Sequence, residues 1–368
     1  MKRLFAVMLT ASSLAIGLPA AAQTGPGAAG ASPAAAPAGG PQSANIFESA
    51  SDHARAQVAR QAEQPLNNAP VWRDVNNGKA HFTNVPDREA GVLIQKGGEE
   101  WRQLRNGPIT QYGGWGLVAV LVLIAAFYLL RGPIRLSEPP SGRMIERFTL
   151  IERCVHWTNA GCFVVLGLTG LTMLFGKHLL LPVFGYTLFA ALASVGKTAH
   201  NFIGPLFAMT TIVIFLTFVR DNLPRLKDLA WLARGGGLLT GAHIRSDRFN
   251  AGEKVLFWGG VVALGVTVAI TGFVLDFPNF QQTRGDMQFA WTIHVIGSLC
   301  FIALILGHIY IGTVGTEGAL DAMKTGYVDE TWAREHHEDW YDDIKSGRLP
   351  AQRSGEVSTS TASTQARA

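Results

Sequence analysis

Long apolar stretches without charges alternate with short basic segments through the middle of this 368-residue chain. An α-helix rises about 1.5 Å per residue, so about 20 apolar residues cross the ~30 Å hydrocarbon core of a bilayer. Five charge-free windows reach that length: Asn106–Leu130, Cys154–Gly176, Thr198–Val219, Val255–Leu275 and Met287–Thr316. The pattern therefore predicts an all-α integral membrane protein with five transmembrane helices.

A sixth apolar window, His178–Gly196, is interrupted by Pro182 and Gly185. If it also crossed the bilayer, the basic segment 220–254 would lie on the outer side, against the positive-inside rule. We therefore expect 178–196 to be an interfacial or re-entrant segment on the outer face. Five crossings of the bacterial cytoplasmic (inner) membrane then place the N-terminus in the periplasm and the C-terminus in the cytoplasm.

The first hundred residues carry targeting and linker signals. Lys2 and Arg3 precede an apolar stretch and then three alanines, which is the order of a secretory signal peptide over residues 1–22. The alternative is an uncleaved anchor, although the apolar stretch is short for a membrane span. The Ala/Pro/Gly-rich composition of 23–44 predicts a disordered linker, and 45–110 is predicted to be a small, partly β periplasmic segment.

Charged residues make up 16% of the chain, well below the ~25% of a typical soluble domain. We attribute the net charge of +4 to cytoplasmic loops rather than to nucleic-acid binding. The three cysteines, Cys154, Cys162 and Cys300, form no C-x-x-C pair. Their spacing argues against an iron–sulfur cluster, a thiol redox motif or a covalently attached haem on this chain.

Four histidines lie within the predicted spans, where ionisable residues are costly and mark function. A lone histidine in a helix is more often a packing residue, but these four lie at matching depths. His294 and His308 are 14 residues apart on one span, so they share a face and lie about 21 Å apart along the axis. Depth pairs His200 with His294 near the outer face and His156 with His308 near the inner face. Each pair can hold one porphyrin between two helices through neutral imidazole nitrogens.

Two haems held in this way would form an electron path across the bilayer. Small residues near the ligands, Gly204, Gly297 and Gly307, would let a flat ring approach closely. No carboxylate lies in the middle of a span and none is expected to be buried, so zinc or di-iron alternatives are weaker. His178 is a rival ligand for the outer haem, and we interpret His336–His337 as solvated or packed against a helix.

Four stretches and two histidines resemble the gamma subunit of membrane-bound formate dehydrogenase, a cytochrome b, over roughly residues 145–345. The stretches are Phe148–Trp157, His200–Gly204, Phe249–Trp258 and Trp332–Tyr341, and the histidines are His294 and His308. The family's short form has four spans, so this chain adds an extra transmembrane helix at 112–130. The resemblance implies a di-haem four-helix bundle over 145–316, followed by a cytoplasmic C-terminal tail over 317–368.

The resemblance implies that the paired histidines are the axial ligands of two non-covalent b-type haems: His156, His200, His294 and His308. It also implies a quinone site beside the inner haem, lined by Asn250, Gly252 and Glu253 together with His308. A quinone needs a polar donor at its carbonyl and an apolar slot for its tail. Asn250 is alternatively the N-cap of the following helix, and the two roles can coexist.

By the same resemblance, the chain anchors a formate dehydrogenase in the membrane and carries electrons from its iron–sulfur subunit to the quinone pool. Formate is then oxidised on a separate catalytic subunit that holds molybdenum or tungsten, and no formate chemistry takes place on this chain. One alternative is the cytochrome b subunit of a nickel–iron hydrogenase or a thiosulfate-type reductase. Another is a non-redox transporter whose histidines bind protons or substrate.

Overall fold

The computed structural model of the chain describes residues 97–354, apart from residue 239, and a few isolated positions earlier in the chain. The predicted signal peptide at 1–22 and the predicted linker at 23–44 lie outside the described residues. So does most of the predicted periplasmic segment at 45–110.

The helices and strands below belong to the unit Asp74–Ala368, one of two into which the chain divides. Five of its helices are long and apolar enough to cross a membrane, which confirms the prediction of five spans. They are α1 (Gly98–Arg131), α2 (Leu150–Leu179), α3 (Leu181–Phe218), α5 (Ala251–Asp276) and α6 (Arg284–Gly315). The shorter helices are α4 (Leu226–Ala233), α7 (Ala319–Lys324), α8 (Glu330–His336) and α9 (Glu338–Lys345).

Polar capping residues set where three of the long helices begin, α2, α5 and α6. The Thr149 hydroxyl accepts the Glu152 N–H at 3.3 Å, and the Glu152 carboxylate accepts the Thr149 N–H at 2.8 Å, at the start of α2. Asn250 and Glu253 form the same reciprocal pair at the start of α5. Such capping boxes satisfy backbone donors that the first helical turn leaves free. Each helix therefore starts where a polar segment meets an apolar run.

The sixth apolar window, 178–196, is helical on both sides of a kink at Gly185, and its position relative to the bilayer stays a prediction. It joins the end of α2 to the first part of α3, which begins two residues after α2 ends. Pro182 lies in the first turn of α3, where a missing N–H breaks no helical hydrogen bond. Gly185 alone has a non-helical backbone, at φ 70° and ψ 176°, and the helix then continues to Phe218. Most of the window is therefore the N-terminal part of α3.

The additional helix α1 packs closely against the other spans through two glycines. A Cβ added at Gly113 would lie 2.6 Å from Leu299 Cδ1 on α6. A Cβ added at Gly114 would lie 3.3 Å from the Phe175 ring on α2. Small residues that let helix backbones approach are a common basis of helix association in membranes. The extra helix is therefore packed onto the same bundle as the other four spans.

The boundary before this helix differs from the predicted one. α1 begins at Gly98, so it takes up the end of the segment predicted at 45–110 and starts well before the predicted span at 112–130. Earlier in the same unit, strands β1 (His81–Phe82) and β2 (Val92–Ile94) pair antiparallel. The two strands agree with the expectation that this segment is partly β.

The C-terminal tail is folded across one end of the bundle. Strand β3 (Met144–Glu146), just before α2, pairs antiparallel with β4 (Tyr327–Asp329). One buried cluster joins the tail to the ends of α2, α3 and α5, and its members include Phe148, Phe218, Phe257, Trp332 and Trp340. We call this the tail end of the bundle and the opposite one the far end. The described part of the tail, which ends at residue 354, is therefore folded onto the bundle, and its cytoplasmic location stays a prediction.

Candidate functional site

The structure brings the four predicted histidines together as two pairs. His200 on α3 and His294 on α6 have ring centroids 6.2 Å apart, with their planes at 73°. His156 on α2 and His308 on α6 have the same spacing of 6.2 Å, with their planes at 64°. These are the pairs that depth along the spans predicts. The first pair lies toward the far end of the bundle and the second toward the tail end.

The spacing within each pair fits a metal ion bound between the two rings. A metal–imidazole bond is about 2 Å long and the ring centre lies about 1 Å beyond the bonded nitrogen, so the centroids must lie about 6 Å apart. Both pairs meet that requirement. Within the described part of the chain, no group of three or more His, Cys, Asp or Glu side chains could hold a metal ion. The pairs therefore fit an iron whose remaining ligands come from a porphyrin.

Hydrogen bonds fix the tautomers of the far-end pair. Nδ1 of His294 lies 3.0 Å from the Val268 carbonyl oxygen, which can only accept, so Nδ1 carries the proton. Nδ1 of His200 lies 2.8 Å from the Thr169 hydroxyl, and that hydroxyl donates its own proton to the Val165 carbonyl at 2.8 Å. With the hydroxyl proton on the Val165 carbonyl, His200 donates from Nδ1 as well. Both rings keep a lone pair on Nε2, which is the arrangement of a histidine that ligates a metal.

A cavity of about 370 Å³ opens at the His200–His294 pair, within the range of small-molecule and cofactor sites. Its lining is largely apolar and includes several glycines. A Cβ added at Gly167 would meet no atom within 4 Å, so glycine leaves open space there. A Cβ added at Gly272 would lie 3.3 Å from His294 Cε1, so glycine lets α5 approach that ring. The cavity therefore has the lining that a flat apolar ring requires.

The glycines predicted to admit a porphyrin divide into two groups. A Cβ added at Gly204 or Gly307 would meet no atom within 4 Å, so these positions face open space as expected. A Cβ added at Gly297 would lie 3.3 Å from Val268 Cγ1 on α5. Gly297 therefore serves the packing of α6 against α5 rather than room for a ring.

The tail-end pair has fewer polar neighbours. Nδ1 of His156 is buried and makes no hydrogen bond with any residue that the structure describes. A buried polar atom without a hydrogen-bond partner destabilises a fold. A metal or polar ligand bound at this pair would explain why the histidine is present despite that cost. Glu253 lies near His308. The rival ligand His178 is exposed at the end of α2 and takes no part in either pair.

The residues predicted to line a quinone site form the first turn of α5. The Asn250 amide oxygen accepts the Glu253 N–H at 3.0 Å, and Glu253 accepts the Asn250 N–H at 2.9 Å. The amide nitrogen of Asn250 makes no hydrogen bond with the residues described. A Cβ added at Gly252 would lie 3.1 Å from the Trp231 ring, so glycine is needed for the contact between α5 and α4. Asn250 therefore caps α5 through its amide oxygen, and its two amide N–H groups make no hydrogen bond with the described residues.

Two buried arginines lie at the tail end, Arg147 and Arg248, and the pattern of apolar residues does not predict them. They occupy equivalent positions in a repeated motif, Arg-Phe-cap-x-x-Glu, at Arg147–Glu152 and Arg248–Glu253. Arg147 pairs with Glu253 at 2.8 Å and Arg248 pairs with Glu152 at 2.9 Å, so each copy of the motif binds the other. Each arginine also donates to the backbone carbonyl of the other. We call these four residues the arginine clasp, and the repeat is the signal in the sequence that points to it.

The expectation that no carboxylate is buried is wrong at this end of the bundle. Glu152 is only 7% exposed, because two arginines compensate its charge: Arg248 and, at 2.8 Å, Arg353. The expectation considered only residues in the middle of the spans, whereas Glu152 lies in the first turn of α2. A carboxylate can be buried there because the capping box and the two guanidinium groups satisfy its oxygens.

The tail histidines are packed rather than solvated. His337 is 1% exposed, with Nδ1 at 2.7 Å from the Asp247 carbonyl oxygen and its ring centroid 5.2 Å from that of Trp332. Burial lowers the pKa of His337 to about 3 and the pKa of His336 to about 4. Both rings are therefore neutral at pH 7.

Comparison with known proteins shows similarity over four of the spans, three of which carry the paired histidines. The family described as prokaryotic cytochrome b561 matches residues 147–326. The nitrate-inducible formate dehydrogenase cytochrome b556(Fdn) subunit of Escherichia coli K12 is 30% identical over 209 residues, 55% of this chain and 93% of that subunit. The formate dehydrogenase cytochrome b556(fdo) subunit of the same strain is 27% identical over 205 residues, with the same shares of 55% and 93%.

A more distant relative gives the same result. The formate dehydrogenase cytochrome b556 subunit of Haemophilus influenzae is 27% identical over 203 residues, 54% of this chain and 82% of that subunit. The region of the cytochrome b561 match contains α2, α3, α5, α6 and both histidine pairs. Helix α1 precedes that region.

Proposed function

The chain belongs to the family of formate dehydrogenase cytochrome b subunits, and from this premise we propose that it anchors a formate dehydrogenase and carries electrons to quinone. The observation that carries the proposal is the pair of histidine sites with equal 6.2 Å spacing, one toward each end of the bundle. The two ligands that share α6, His294 and His308, lie about 21 Å apart along its axis. Each site therefore belongs to a different half of the membrane.

In this proposal His200 and His294 hold the outer b-type haem, and His156 and His308 hold the inner one. Haem iron held by these histidines would supply a one-electron carrier. The Val268 carbonyl orients one outer ligand and keeps its Nε2 unprotonated. The largely apolar lining of the outer cavity suits the apolar ring of a haem.

We place the quinone at the tail end, beside the inner pair. Asn250 uses its amide oxygen to cap α5, and its nitrogen keeps two N–H donors for a quinone carbonyl. Glu253 is held by Arg147, and its side chain remains 33% exposed, so it can exchange protons with solvent. With the tail end in the cytoplasm, as the positive-inside rule predicts, these protons come from the cytoplasm.

The partners follow from the same assignment. An iron–sulfur subunit on the periplasmic side delivers electrons to the far end of the bundle. A catalytic subunit with molybdenum or tungsten oxidises formate, and this chain supplies the membrane anchor in the inner membrane. Identification of the subunits that co-purify with the chain separates this proposal from a role with a nickel–iron hydrogenase or a thiosulfate-type reductase.

The test is the haem content of single-histidine variants in the purified complex. We expect a pyridine haemochrome to give two b-type haems per chain, and His294→Ala and His308→Ala to lose one haem each. His178→Ala is the matched control and keeps both. Formate-driven quinone reduction should stop in both ligand variants, while formate oxidation by a soluble dye continues on the catalytic subunit. A wild-type chain without haem, or a ligand variant that keeps both haems, contradicts the proposal.

A further inference from the structure

The extra helix α1 carries a cation to the cavity of the far-end histidine pair. Arg105 lines this cavity together with His200 and His294. It begins a π-helical turn, Arg105–Ile109, which interrupts the regular helix at that point. Such turns are rare and often lie at functional sites. A helix that precedes the region of family similarity thus contributes a side chain to the site shared with the family.

Two tryptophans hold the guanidinium group in place. The Arg105 guanidinium carbon lies 5.4 Å from the ring centroid of Trp101 and 5.2 Å from that of Trp291. The two rings themselves meet edge to face at 5.4 Å. Trp291 lies on α6, one turn before His294, so the contact ties the cation to the helix that carries a predicted ligand. Contacts of this kind restrict a long side chain before any ligand binds.

The cation has no carboxylate partner within the described residues. Arg105 is partly buried, and no ion pair there includes it, although Asp276 also lines the cavity. A partly desolvated guanidinium favours a planar anion that can accept two hydrogen bonds. The other cation that lines the cavity, Lys197, is exposed on α3. The far-end cavity therefore presents an apolar interior, two imidazoles and a preorganised cation.

A b-type haem has an apolar ring and two carboxylate substituents on one edge, which are the only charged substituents of that ring. We propose that Arg105 binds a carboxylate of the outer haem, so that the extra helix α1 completes the outer cofactor site. This inference depends on the proposed function, because it requires that a haem occupies the cavity. It gives α1 a role in holding the cofactor.

The experiment compares three variants of the full-length chain, purified in its complex. Arg105→Gln removes the charge, Arg105→Lys keeps it, and Arg102→Gln is the control. Arg102 lies on the same helix but is exposed and paired with Glu99. The readouts are haem per chain, the rate of haem loss to an excess of an apo-haem-binding protein, and the midpoint potential of each haem. The outer haem is identified as the one missing in His294→Ala.

We expect Arg105→Gln to release the outer haem about tenfold to a hundredfold faster, the range for loss of a hydrogen bond to a charged group. Its outer haem should also have a lower midpoint potential, because a nearby positive charge favours the reduced state. Arg105→Lys should recover part of both effects, and Arg102→Gln should match the wild type. Haem loss and both potentials unchanged in Arg105→Gln would overturn this inference and leave the proposed function standing.

The remaining outcomes are also decisive. If Arg105→Gln destabilises both haems equally, Arg105 supports the fold as a whole and the specific inference is refuted. If the wild-type complex contains no haem, the proposed function itself fails. These results differ from one another, so failure of the inference is distinguishable from failure of the function on which it depends.

Discussion

Asn250 offers a way to separate two roles that one side chain can play at once. Its amide oxygen caps α5 by accepting the Glu253 N–H at 3.0 Å, and its amide nitrogen is the donor proposed for quinone. Asn250→Ala removes both functions. Asn250→Ser keeps an oxygen suited to the N-cap but removes the amide nitrogen, since Ser and Asn are nearly equivalent caps. The two substitutions therefore divide the capping role from the binding role.

The structure sets the size of each effect. Loss of the cap in Asn250→Ala should lower the free energy of unfolding by about 1 kcal/mol, whereas Asn250→Ser should stay within about 0.5 kcal/mol of the wild type. Loss of a neutral hydrogen bond costs about 0.5–1.5 kcal/mol, so both variants should raise the KM for quinone by about two- to tenfold. Formate oxidation by a soluble dye should be unchanged in both, because that reaction does not use the quinone site.

The assays are denaturant unfolding of the purified complex, followed by its haem absorbance, and steady-state formate-driven quinone reduction. A KM for quinone in Asn250→Ser equal to that of the wild type would refute the assignment of the amide nitrogen to quinone. A free energy of unfolding in Asn250→Ala equal to that of the wild type would refute the capping argument. Either result can occur without the other, so the two parts of the reasoning are tested separately.

Two further predictions concern the tail end. Glu152→Gln removes the shared partner of Arg248 and Arg353, and breaking a buried pair costs about 3–5 kcal/mol. The control, Arg353→Gln, should lower the free energy of unfolding by about 1 kcal/mol or less, because the Arg353 side chain is 30% exposed. If both variants lowered the free energy of unfolding equally, the arginine clasp would be contradicted. Burial holds the pKa of His337 at about 3, below its ordinary 6.5, so the unfolded chain binds more protons between these values. The stability that His337 contributes is complete above about pH 6.5 and falls by about 1.4 kcal/mol per unit as the pH drops toward 3. In His337→Gln the free energy of unfolding should depend less on pH between about 3 and 6.5. If the free energies of variant and wild type fell in parallel over this range, the assignment to His337 would be disproved.

The sequence predicts the spans and the pairing of histidines because both depend on local patterns. Charge-free length defines each span, and position along a span defines depth, so His200 can be matched with His294 without knowledge of the contacts between helices. The arginine clasp is different, because Arg147 and Glu253 are 106 residues apart. A pattern of apolar positions contains no information about such a pairing, and only the repeated motif hints at it.

Two further features of the fold, the kinked start of α3 and the packed tail, have local causes of another kind. Pro182 and Gly185 predict an interruption of the helix. Pro182 lies in the first turn of α3, where it breaks no helical hydrogen bond, and Gly185 produces one kink, after which the helix continues. The tail is polar in composition, but its few large apolar residues, such as Trp332 and Trp340, suffice to bury it against the bundle. The average composition of the tail does not reveal these two tryptophans. The residues that they pack against, such as Phe148 and Phe218, are distant in the sequence.

The pairing of β3 with β4 imposes an order on biogenesis. Residues 144–146 emerge from the ribosome ahead of α2, but their partner strand at 327–329 is synthesised only after every span. At typical rates of translation the first strand waits roughly ten to forty seconds for the second. Until then β3 lacks the strand with which it pairs. Closure of this small sheet therefore marks the point at which α2, α3, α5 and α6 have all been synthesised.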